Sequence, residues 1–112
     1  MCRRAQGAGF VTWVGAAEAS FVLESGRDRL ARFKSSAAAT RSFCSRCGTP
    51  LFFQSTRWPG EIHVTLASLD SCDGIEPQAH VYWSSRAPWA DWSAVDLPKM
   101  EPDERQGPAD RG

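Results

Sequence analysis

The residues best suited to chemistry in this chain are Cys44 and Cys47, in the run Cys44-Ser45-Arg46-Cys47-Gly48-Thr49-Pro50. Two thiolates three positions apart on a tight turn can both reach one Zn²⁺ at about 2.3 Å. The glycine that follows relieves strain where the backbone turns back toward the sulfurs. A redox pair is an alternative, but it calls for a helix N-terminus to lower a thiol pKa, and here Thr49-Pro50 and a Phe-rich stretch follow. An inert turn is the third reading. The zinc knuckle is the one the flanking residues favour, although a structural zinc takes four ligands and this turn supplies two.

The other candidate ligands are Cys2, Cys72, His63 and His80. Cys72 falls in Asp70-Ser71-Cys72-Asp73-Gly74, where an exposed free thiol is expected. His63 sits within an alternating stretch and reads as a hydrogen-bonded sheet histidine, and His80 as an ordinary strand-opening residue. Cys2 stands apart because Arg3 and Arg4 follow it, and neighbouring guanidinium groups favour a thiolate. It is the candidate third metal ligand and the candidate catalytic thiol, with a frayed terminus as the alternative.

These side chains need a scaffold, and the pattern around them has mostly period two. Phe10–Val14, Phe21–Glu24, Leu30–Lys34, Thr40–Phe43, Leu51–Gln54, Glu61–Leu69 and His80–Trp83 all read as strands, the cysteine turn joining two of them. Ala16–Ala19 could form a single helical turn, and Trp58-Pro59-Gly60 is a turn. Short strands of this kind, separated by turn signals, make a mainly-β domain over residues 1–100. Residues 101–112 contain no large apolar side chain and are expected to be a disordered tail.

Composition narrows the function classes. The chain has 112 residues, 13 basic and 13 acidic, with a formal net charge of zero. That balance argues against a nucleic-acid binder working through phosphate contacts. No apolar run approaches the roughly 20 residues that span a bilayer, and the N-terminus lacks the apolar core of a signal peptide. A cytoplasmic protein that engages neither membrane nor nucleic acid is the expectation; its oligomeric state is not legible. Five Trp, six Phe and one Tyr supply a core. Trp13, Trp83, Trp89 and Trp92 are candidates for a ligand pocket, core packing being their commoner use.

Several of these segments together resemble one family. Cys2-Arg3-Arg4-Ala5 with Gly9–Val14, Arg41–Leu51 around the cysteine turn, Thr65–Asp70, and His80–Trp89 occur in the order found in glutathione-dependent formaldehyde-activating enzymes and centromere protein V. The resemblance covers residues 2–99. It implies a Mss4-like fold of small antiparallel sheets tied by zinc. Family members carry a C-x-C, a C-x-C-x-x-C cluster and a late C-x-x-C. The first and last form a structural zinc site, and the middle cluster holds a second zinc associated with glutathione and its formaldehyde adduct. Cys44 and Cys47 match the late pair, and Cys2 matches the final cysteine of the middle cluster. The remaining cysteines have no counterpart after Met1, so the chain is expected to be an N-terminally incomplete member lacking the first strands.

The activity implied is a carbon–sulfur lyase acting on glutathione or another small thiol–aldehyde adduct. A zinc-stabilised binding module and an inactive fragment are the alternatives. Arg3, Arg4 and Arg86 are candidates to meet a ligand carboxylate, with solvated arginines as the simpler reading.

Overall fold

A computed structural model describes residues 2–89 and 97–101, with side chains described from Arg4 onward. A short helix α1 (Cys2–Gln6) precedes strand β1 (Trp13–Ala17), followed by β2 (Leu30–Lys34), β3 (Ala39–Cys44), β4 (Pro50–Ser55) and β5 (Glu61–Thr65). These strands form one antiparallel sheet of order β1-β5-β4-β3-β2. From β2 to β5 the sheet is a meander, and β1 closes the far side against β5. Strands β6 (His80–Val81) and β7 (Lys99–Met100) pair in parallel as a separate two-stranded ribbon. The fold is mainly β, as the periodicity implies.

Strand positions follow β-branched and aromatic content with two departures. β1 lies three residues later than the Phe10–Val14 stretch, and Phe21–Glu24 is extended chain without sheet partners. Phe21 instead lays its ring edge-on to Phe52 at 4.9 Å, so its apolar surface is covered from outside the sheet. The stretch expected to be one strand from Glu61 to Leu69 leaves the sheet after Thr65 and enters a 3₁₀ turn at Leu66–Ser68. Side-chain hydroxyls cause the break. Thr65 Oγ1 donates to the Pro50 carbonyl at 3.0 Å, and Ser68 Oγ donates back to the Thr65 carbonyl at 2.8 Å. Local hydroxyl–backbone bonds of this kind compete with a ladder. The tail beginning at residue 101 is described only at Glu101, which accepts hydrogen bonds from the Ser84 N–H and hydroxyl; residues 102–112 lie outside the described residues.

Burial is thin and unusually polar. Ala39, Trp58, Ile62 and Ala87 are the buried apolar residues, alongside buried Arg41, Ser42, Ser55, His63 and Thr65. No large side chain among the described residues is completely shut off from solvent. Cross-strand neighbours explain the polar share. Phe33, Arg41, Phe53 and His63 are successive partners across β2, β3, β4 and β5 and share one face. Around Phe53 and His63 on that face gather Trp13 and Trp58, with ring centroids 5.7–6.2 Å apart in tilted and edge-on pairs. Such aromatic pairs add about 0.5–1.5 kcal/mol each beyond area burial.

Candidate functional site

The cysteine turn joins β3 to β4. β3 is irregular just before it, the pairing register slipping between Ser42 and Phe43. A bulge there bends the strand and re-aims the side chains that follow it. The turn is then tied by its backbone: Gly48 N–H donates to the Cys44 carbonyl at 2.7 Å, and Cys44 N–H to the Thr49 carbonyl at 2.9 Å. Gly48 takes φ +78°, a left-handed conformation that glycine adopts without penalty. From the neighbouring edge, Ser45 donates through both N–H and Oγ to the Arg29 carbonyl, at 2.7 and 2.9 Å.

The sulfurs lie on the solvent side of this frame, Cys44 half-buried and Cys47 exposed. Cys47 Sγ and Thr49 Oγ1 share a hydrogen bond of 3.0 Å. The Thr49 hydroxyl, the Thr49 backbone and then the Cys44 thiol draw the Cys47 thiol from its ordinary 9.0 down to about 7. Two cysteines on one tight turn, one of them drawn toward thiolate, are the donors a thiophilic cation takes. The residues present therefore fit zinc as one half of a tetrahedral site. Among the described residues, no third His, Cys, Asp or Glu joins them in a metal-binding group.

The remaining candidates are scattered. Cys72 is a free, exposed thiol in the loop after β5. His63 is 4% exposed, with Nε2 3.3 Å from Glu61 Oε1 and its ring against Phe53 and Trp58. It belongs to the sheet. His80 packs its ring tilted against Trp83, with ring centroids 5.0 Å apart. Cys2 opens α1, and its side chain lies outside the described residues, so its place relative to the knuckle is carried only by the helix that follows it.

That helix and the knuckle line one cavity. Arg4, Ala5 and Gln6 form one wall of a cavity of about 600 Å³ that also takes in Gly48, the residue beside Cys47. Phe33, Phe43, Pro50 and Phe52 also line it. A volume of this size suits a small-molecule ligand. Of the arginines singled out from the sequence, Arg4 lines the cavity, whereas Arg86 lies over the Trp83 ring at 4.4 Å. Among the described residues no tryptophan lines it: Trp13 and Trp58 belong to the aromatic face, Trp83 lies under Arg86 and Lys99, and Trp89 is 75% exposed; Trp92 falls outside the described residues.

Sequence reasoning missed Arg41 and Ser35, both in the cavity wall. The signal for Arg41 was present. Period-two alternation puts it on the same face as Ala39, an inward position where a cation needs a reason.

Comparison with known proteins adds one finding. The model of the family described as glutathione-dependent formaldehyde-activating enzyme matches residues 1–85, which takes in α1, the whole five-stranded sheet and the cysteine turn. No curated protein and no solved structure was found to match.

Proposed function

Because the chain belongs to the glutathione-dependent formaldehyde-activating enzyme family, we propose that it is a zinc-binding protein of carbon–sulfur chemistry, acting on adducts of glutathione or a similar small thiol with an aldehyde. Cys44 and Cys47 hold the zinc, and Cys2 is the third thiol assigned to metal and reaction. The observation that carries this reading is the knuckle: two cysteines on a backbone-tied turn, one held toward thiolate, opening beside a cavity of ligand size.

Zinc, when bound, supplies polarisation of a carbonyl oxygen or a lowered thiol pKa. The chain's own residues do the rest. The turn presents Cys44 and Cys47 at fixed spacing, Thr49 directs a hydroxyl at Cys47, and the phenylalanines lining the cavity offer apolar surface to a bound adduct. In the reaction proposed, a thiol sulfur adds to the aldehyde carbon, and the thiol proton passes to the carbonyl oxygen. A cytoplasmic setting would keep the free thiols Cys44, Cys47 and Cys72 reduced. Among the described residues no helix is long and apolar enough to cross a membrane.

A second reading, a non-catalytic zinc-stabilised binding module, is favoured by one observation: no third ligand stands with the knuckle among the described residues. Elemental analysis of the purified chain, paired with turnover of a glutathione–formaldehyde mixture, separates the two. Bound zinc with turnover supports the lyase. Bound zinc without turnover supports the module, and a zinc-free chain without turnover overturns both.

A further inference from the structure

Zinc in a closed structural site takes four ligands, and the cysteine turn offers two. The rest of the sequence holds few soft donors, two more cysteines and two histidines. Both histidines are engaged in packing. His63 is 4% exposed among Phe53, Trp58 and Glu61, and the His80 ring lies against Trp83. Cys72 is an exposed thiol in the loop after β5, and among the described residues nothing joins Cys44 and Cys47 as a third donor. The turn itself is open. Residues 45–49 are all exposed, and the backbone bonds that hold them run within the turn and from Ser45 to the Arg29 carbonyl. A second chain can therefore reach it.

We propose that zinc joins two copies of this chain, held by Cys44 and Cys47 of one copy and the same two cysteines of the other. A surface patch carrying half of a tetrahedral site is completed by its own copy, because a two-fold axis through the metal pairs like with like. Charge favours the same pairing. A zinc held by four thiolates carries a net double negative charge, and each copy brings an exposed Arg46 between its two cysteines. Guanidinium groups beside thiolates stabilise the charged sulfurs. The inference rests on the zinc reading of the knuckle above and names the partner that completes the site. At this metal the second copy's pair takes the position given above to Cys2, so Cys2 and Cys72 stand outside the shared site.

The test needs no enzymatic activity. The full-length chain, reduced and stripped of metal, is titrated with zinc while its mass is followed by light scattering. The mass should double, the change should be complete at one zinc per two chains, and chelator should reverse it. Half-saturation should require more zinc as the chain is diluted, which a site within one chain would not show. Cobalt in place of zinc should give the charge-transfer bands of a tetrahedral four-thiolate site. A double variant, Cys2→Ser with Cys72→Ser, should dimerise as the unmodified chain does, whereas Cys47→Ser should stay monomeric. One zinc per chain on a monomer overturns the shared site and leaves the zinc reading standing; a chain that binds no zinc overturns both. A dimer of equal mass with and without metal also overturns the proposal, and these three outcomes need no variant to fold. So does zinc-driven dimerisation that survives Cys47→Ser, which would put the bridging sulfurs elsewhere.

Discussion

β4 has a turn at each end, and the two are built on opposite principles. At its start the Cys44–Thr49 turn projects from the sheet, exposed along its length from Ser45 to Thr49. At its end the Thr56–Gly60 turn folds Trp58 inward, to 7% exposure, against Phe53 and His63. Both use a left-handed glycine, Gly48 at φ +78° and Gly60 at φ +80°. Both are tied by backbone bonds: Gly48 N–H to Cys44 at one end, and Trp58 N–H to the Ser55 carbonyl at 3.1 Å at the other. What differs is the side-chain content. One turn is anchored by an aromatic ring; the other offers thiols to something outside the chain. Similar backbone frames can thus serve either packing or ligation, and burial tells which.

The largest effect separating the turns should come from metal. A complete structural zinc site contributes on the order of 10 kcal/mol, comparable to a whole domain's 5–15 kcal/mol. If the knuckle holds zinc, chelation should strip amide-exchange protection from residues 44–49 first and lower the melting temperature, with the Trp58 turn responding only at global unfolding. Hydrogen exchange with and without chelator reads this directly. Unchanged protection at the cysteine turn would make it a packed turn like its counterpart.

Next in size is the aromatic anchor. Trp58→Ala removes a ring packed on Phe53 and His63 and should cost about 3–5 kcal/mol. In a sheet whose buried apolar set is so small, that approaches the margin of stability. Denaturant titration of the variant should show it, and a loss below about 1 kcal/mol would mean the aromatic face is not what holds this end of β4.

The contrast also explains what could be foreseen. Alternation of apolar and polar residues located β2 to within its observed ends, Leu30–Lys34, an edge strand of the sheet. The cysteine turn was legible from spacing and the glycine after it. Phe21–Glu24 misled because apolar, β-branched residues also occur where an extended segment covers a sheet from outside, as the Phe21–Phe52 contact does. The early end of β5 depended on Ser68 reaching back to Thr65, a bond no periodicity encodes. Arg41 escaped notice because its burial comes from cross-strand neighbours in β2 and β4, distant in sequence from β3.

A smaller effect tests the shared glycine frame. Nothing lies within 4 Å of a Cβ built on Gly48 or Gly60, so Gly48→Ala and Gly60→Ala meet no steric clash and differ from wild type only in backbone strain. Each should cost about 1–2 kcal/mol. Equal losses in chemical denaturation, with weaker metal retention for Gly48→Ala alone, would confirm that the frames match and the functions differ. Unequal losses would show that one turn is more tightly constrained by its surroundings than its backbone suggests.

The smallest effect is the titration of Cys47, and it needs no change in stability to be seen. Thr49 Oγ1, 3.0 Å away, is the principal cause holding the thiol at about 7 rather than 9.0. The folded chain therefore favours the thiolate more than the unfolded chain does. The sign follows: any stabilisation from this group is present at alkaline pH and is lost as the pH falls through about 7. In metal-free protein, iodoacetamide should label Cys47 at a rate that rises with pH and has its midpoint near 7, followed by peptide mass spectrometry. Thr49→Val should move that midpoint upward while the turn's backbone bonds remain. The Trp58 turn supplies the control, because Trp58→Phe alters packing at the far end of β4 and touches no thiol. A midpoint indifferent to Thr49 would mean that the cysteine turn sets its own thiol chemistry through Cys44 and the backbone alone.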